Sequence, residues 1–202
     1  MSYSDVVARV AELQALAQRG LAPARAAPVD SRLEFADVLA GSLAPVESSG
    51  WSAVESPQRA PGLRALLAAQ GEIGVSEEPP GSNDGARIAE YRSAVAGAYG
   101  GAPWCAYFVS WAAAHAGVPL GDAGEGFGSV EEITAWAARS GKLLPPGQAP
   151  SPGDLILFGG RHVGIVDSVN RDGSLTTVEG NEGDAVRRVQ RAAKEATGFV
   201  RL

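Results

Sequence analysis

The stretch DLILFGGRHVGIVDSVNRDGSLTTVEG, residues 154–180, decides the fold. Its apolar runs are short and β-branched, with turn-forming residues before them at Pro152-Gly153 and between them from Asn170 to Gly173. AVRRVQ and GFVRL extend the pattern beyond a turn at Glu182 to Asp184, so the last fifty or so residues read as an antiparallel meander. Upstream the period is helical. Leu63, Leu66, Leu67 and Gln70 begin a helix that should stop near Gly71 or Gly74, and Ile88, Tyr91 and Val95 mark another after the loop PPGSNDG. From Pro103 to Ala116 a third helix is predicted, Pro103 suiting its first position and Gly117 its stop. Ser129 and Glu132 form a capping box for a fourth, running through Ile133 and Trp136 to Gly141. Helices followed by strands predict an α+β domain.

The amino-terminal part is of another kind. Val6, Val10, Leu13 and Ala17 share one face of an amphipathic helix over about 4–18, and Leu33, Phe35, Val38 and Leu39 mark a second over about 30–43. Residues 45–61 are rich in Ser, Gly, Pro and Glu without periodicity, as in a linker. The expected organisation is a helical docking or export segment over 1–44, a linker over 45–61 and a folded domain over 62–202.

At 202 residues and 45% hydrophobic, the chain can bury one sizeable core. A net charge of −6 without clustered Lys or Arg speaks against nucleic acid as partner. No segment is long and apolar enough to span a membrane as a helix. The opening MSYSDVVARVAELQ lacks the basic, apolar and small-residue parts of a secretory leader, so delivery outside the cytoplasm is expected to use another route. One cysteine permits no internal disulfide.

That cysteine, Cys105, falls in the first turn of the third helix, where exposed N–H groups and the helix dipole favour a thiolate. A cysteine nucleophile needs a base, and there are two histidines. His115 lies ten residues along the same helix, roughly 15 Å away at about 1.5 Å per residue, which is too far. His162 opens the strand HVGIVDSV and remains. If the next turn is Asn170 to Gly173, Val169 faces Ser174, and the ladder sets His162 opposite Asn181 and diagonal to Glu179. All three side chains then share a face, with Gly164 leaving room beside them. Closing the turn with Asp172-Gly173 alone keeps the parity; a bulge would not. Asp167 points to the other face and is a poor orienter for His162.

PWCAYFVSWAAAHAG, PGDLILFGGRHVGIV and LTTVEGN, in that order, resemble the three signature blocks of the cysteine, histidine-dependent amidohydrolase/peptidase (CHAP) domains, and the resemblance runs over about 63–202. EIGVSEEPPGSNDG is similar to the lead-in of bacterial and phage members. The resemblance implies a papain-like fold and cleavage of peptidoglycan, as an N-acetylmuramoyl-L-alanine amidase or as a stem-peptide or cross-bridge endopeptidase, the latter including antibacterial effectors. It implies Cys105 as nucleophile, His162 as base, Glu179 as orienter and Asn181 as a fourth polar member. No Asp-rich calcium loop is evident, so neither metal nor cofactor is expected. Trp104, Tyr107 and Trp136 are candidates to line a substrate groove, weighed against packing in the core. LEFADVLAGSL in the amino-terminal part resembles a segment of flagellar rod-adaptor proteins, which are exported without a cleaved leader. That implies an envelope or flagellar assembly partner, and a competing reading as a non-catalytic wall-binding assembly factor. The expected location is the cell envelope or another extracytoplasmic site.

Overall fold

The structure, a computed structural model, describes residues 61–202. The two helices expected over 4–18 and 30–43, and the linker up to its last residue, lie outside the described residues. Pro61 instead opens the first described helix, α1 (Pro61–Gln70), whose buried Gly62, Ala65, Leu66 and Ala69 follow helical spacing. α2 spans Ala86–Ser93, α3 Cys105–His115 and α4 Val130–Arg139. The Ser129 and Glu132 capping box is formed at the start of α4.

α3 starts two residues later than its sequence suggests. Trp104 is its N-cap, with φ −116° and ψ 12°, so Cys105 becomes the first helical residue and Pro103 lies outside. The helix is buried from Cys105 through Ala113, which makes it the central element of the core. Tyr91 of α2 binds it through ring contacts to Trp104, Phe108 and Trp111 at 5.7, 5.2 and 5.1 Å. Burying each such aromatic side chain stabilises by about 1.5–3 kcal/mol, so this cluster fixes where the start of α3 sits.

The strands are β1 (Leu155–Phe158), β2 (His162–Val169), β3 (Leu175–Glu179), β4 (Arg187–Arg191) and β5 (Gly198–Val200). They form one sheet in the order β4-β3-β2-β1-β5 with antiparallel pairing throughout. The expected meander therefore holds for four strands only. After a short 3-10 turn at Ala193–Glu195 the chain crosses to the far edge, where Val200 pairs with Leu155. Val200 is fully buried, and that apolar anchor draws the last strand to β1. Leu155, Leu157, Val163, Ile165 and Val178 join the helices in the main core, while Ile156, Val166 and Leu175 pack on the reverse face with Phe158 and Phe199.

The β2–β3 hairpin corrects the predicted turn. Val169 pairs with Leu175 rather than Ser174, so the loop is one residue longer than expected. A bulge between Val166 and Ser168 inserts one extra residue, Asp167, into β2. The two shifts cancel: beyond the bulge Val166 faces Thr177 and Ile165 faces Val178, which is the predicted register for the end that carries His162.

Candidate active site

Cys105 is a free thiol at the first position of α3, only 5% exposed. The first amides of a helix have no acceptor within it, and they present partial positive charge to this position. His162 opens β2, with its imidazole beside the Cys105 side chain. Its Nε2 lies 2.7 Å from Glu179 Oε2. With Nε2 committed to the carboxylate, Nδ1 is the nitrogen left for the thiol. Burial alone would lower the imidazole pKa. The neighbouring Cys105 side chain and the hydrogen bond and negative charge of Glu179 outweigh burial and push it up to about 9.

Glu179 ends β3 and is fully buried. Such a carboxylate survives only with full compensation. Thr177 Oγ1 donates to Oε1 at 2.5 Å, Arg191 Nε donates to Oε1 at 2.9 Å and Arg191 Nη2 to Oε2 at 2.6 Å. Burial pushes the Glu179 pKa up, but these bonds and the one to His162 prevail and hold it at about 2. Gly164 makes the approach possible, since a Cβ there would fall 2.6 Å from Glu179 Cγ. Gly180 does the same for α3: a Cβ would lie 2.6 Å from Phe108 Cγ.

Asn181 departs from its expected place. Its backbone is left-handed at φ 60°, so it lies beyond the regular alternation of β3, which ends at Glu179. The amide lies at the start of α3 and is assigned, from its surroundings, with its oxygen accepting from the Trp104 N–H at 3.1 Å and its NH2 donating to Glu77 Oε1 at 3.2 Å. Glu77, 4% exposed, also accepts from Trp104 Nε1 at 2.9 Å and from the Asn83 N–H at 2.8 Å. Asn181 thus meets the helix that carries Cys105, through Trp104.

His115 ends α3, where its Nδ1 lies 3.0 Å from the Trp111 carbonyl oxygen. Asp167, extruded by the bulge, is bound by Gln70 Nε2 at 2.6 Å and Arg188 Nε at 2.9 Å. Trp104 is 0% and Trp136 4% exposed, so both serve the core instead of a groove. Tyr107 is buried too, but it borders a cleft of about 460 Å³ with Tyr99, Phe127 and Ser129. Tyr99 and Ser129 also line a smaller cleft of about 260 Å³ that contains Cys105, Pro103, Glu131 and Arg161. On the histidine side, Phe158, Arg161, His162, Glu182 and Arg191 line a cleft of about 320 Å³. Arg161 therefore stands at both. Sequence pattern does not single out Tyr99, Thr177, Glu182 or Arg191. Thr177 was within reach, lying two residues before Glu179 and so on its face of the strand.

Among the described residues, His162, Glu179 and Glu182 bring ligand atoms within 4.8 Å of one another. The Arg191 guanidinium already bonds both carboxylates, so the protein's own cation satisfies them.

The family model of the CHAP domain matches residues 97–181, a span that includes Cys105, His162, Glu179 and Asn181. The structure is similar to that of the peptidoglycan hydrolase RipB from Mycobacterium tuberculosis, at 19% identity and a TM-score of 0.44, covering 84% of this chain and 77% of that one. No curated protein matches the chain.

Proposed function

We propose that the described domain is a peptidoglycan hydrolase that opens an amide bond by cysteine nucleophilic catalysis. The observation that carries the reading is a thiol at a helix start, an imidazole beside it, and a buried carboxylate 2.7 Å from the far nitrogen of that imidazole. The substrate comes from the match of residues 97–181 to the CHAP family, and the clefts flanking Cys105 and His162 give an extended ligand room on both sides.

In this mechanism the Cys105 thiolate attacks the amide carbonyl carbon while His162 holds the thiol's proton as imidazolium. Backbone N–H groups at the start of α3 receive the developing oxyanion. His162 passes its proton to the departing amine nitrogen as the C–N bond breaks, leaving a thioester on Cys105. Water, deprotonated by His162, attacks that thioester, and the carboxylic acid and free thiol are restored. Glu179 steadies the imidazolium throughout.

The first reading of the bond is that of an N-acetylmuramoyl-L-alanine amidase; a stem-peptide or cross-bridge endopeptidase uses the same chemistry. The action is placed in the cell envelope, with residues 1–44 serving delivery or docking to an envelope or flagellar partner. Digestion of purified cell walls followed by mass spectrometry of the soluble fragments tests the proposal. New amino termini on alanine are expected for the amidase, and termini within the stem or bridge for the endopeptidase. Release that continues undiminished in Cys105→Ala would refute the assignment of the nucleophile.

A further inference from the structure

We propose that Arg191 is a positioning residue for this site, holding the Glu179 carboxylate ionised and aimed at His162 and so setting the pH range over which Cys105 reacts. The inference rests on the reading of Cys105 and His162 as nucleophile and base. It adds a residue of β4, beyond the span matched by the family.

The geometry is that of a fork. Arg191 Nε and Nη2 meet the two oxygens of Glu179 separately, at 2.9 and 2.6 Å, an arrangement only a planar guanidinium can make. The same Nη2 donates to Glu182 Oε2 at 2.9 Å. Its guanidinium carbon sits 5.0 Å from the centre of the Phe158 ring, and that ring stacks on His162 at 5.6 Å. One side chain therefore braces the carboxylate behind the imidazole and the aromatic ring beside it.

The groups facing Glu179 divide clearly. His162 comes from β2, Thr177 from its own strand and Arg191 from β4, all bonded to it. Glu182 Oε2 stands 3.8 Å from His162 Nε2 and adds negative charge. Arg187, the β4 partner of Glu179 in the ladder, turns instead to the carbonyl oxygens of Glu182 and Gly183. Arg161 borders the same cleft. Without Arg191 the buried carboxylate would keep only a hydroxyl and an imidazole, too little to offset its burial, and it would take up a proton at a higher pH. A protonated Glu179 no longer supports imidazolium, and the thiolate paired with it is lost.

The test is the rate of Cys105 alkylation by iodoacetamide against pH, in the full-length chain, because this reads the thiolate without any substrate. Arg191→Gln should move the acid limb of the profile up by about one pH unit or more, a roughly tenfold loss of rate on that limb. Arg191→Lys, which keeps the charge and loses the fork, should move it part of the way. Arg188→Gln removes a different ion pair from the same strand and should leave the profile where it was. In a Glu179→Gln background, Arg191→Gln should add less than about twofold. An unshifted limb in Arg191→Gln, or an effect equally large without Glu179, would overturn the proposal. If circular dichroism shows Arg191→Gln unfolded, Arg191→Lys decides alone: a wild-type profile overturns the inference and a partial shift supports it. Wild type and His162→Ala alkylating alike at every pH would overturn the pairing of Cys105 with His162, and this inference with it.

Discussion

Glu179 and Asp167 are two carboxylates near one histidine strand, and their surroundings give them opposite value. Glu179 is wholly enclosed and bonded to His162, Thr177 and Arg191. Asp167 is half-buried, on a bulge, tied to Gln70 and Arg188. Glu179→Gln keeps the side chain's size but removes the charge that stabilises imidazolium, so turnover should fall by roughly 10- to 1,000-fold, the scale of general-base support. Asp167→Asn should change turnover by less than about threefold, in line with a peripheral charge. Steady-state rates on solubilised peptidoglycan for the two variants check this. A larger loss from Asp167→Asn would remove Glu179 from its role.

At the scale of elements, the site is the meeting of one helix start with one end of a hairpin, and glycine makes the meeting possible. The Cβ of an alanine at Gly180 would press on Phe108 within α3. Gly180→Ala should therefore push the helix off the end of β3, costing about 1–3 kcal/mol by overpacking. Cys105 alkylation should slow as well, because the thiol moves with its helix. Urea unfolding and iodoacetamide labelling measure the two effects, and unchanged values in both would mean that the contact has slack. Much of this element-level design was legible in the sequence. The capping box of α4, the helical run that places Cys105 near a helix start, and the strand strings all follow from local pattern. Residue spacing along the hairpin puts His162 and Glu179 on one face, and it holds in the structure because the longer loop and the bulge at Asp167 offset each other. What could not be read was whatever depends on long-range geometry. The left-handed turn at Asn181 obeys the packing of α3, and Arg191 reaches Glu179 from a strand whose sequence, RRVQR, holds three arginines with nothing local to distinguish them. The crossing of β5 to the far edge was hidden for the same reason, since it depends on a place for Val200 beside Leu155.

Over the whole molecule, the buried pair links catalysis to stability through pH. The folded-state pKa of Glu179 lies at about 2, below its ordinary 4.5, so its contribution is fully present above about 4.5 and is lost as the pH falls toward 2. For His162 the folded value is about 9 against an ordinary 6.5, so its contribution is full below about 6.5 and disappears as the pH rises through 9. The pair thus supports the fold most between about pH 4.5 and 6.5. Other groups act in the same ranges. Glu72, lowered by Arg87, adds to the acid loss, whereas Asp154, raised by its burial, acts in the opposite sense. Only a difference between proteins isolates the pair. Urea midpoints measured from pH 2 to 10 should show a shallower acid slope in Glu179→Gln than in wild type, and a shallower alkaline slope in His162→Ala. Because the two groups hold each other's charge, Glu179→Gln should also flatten part of the alkaline slope. If Glu179→Gln keeps the wild-type slope between pH 2 and 4.5, the carboxylate is not the ionised, buried partner of Arg191 and His162, and the electrostatic core of the proposed mechanism fails with it.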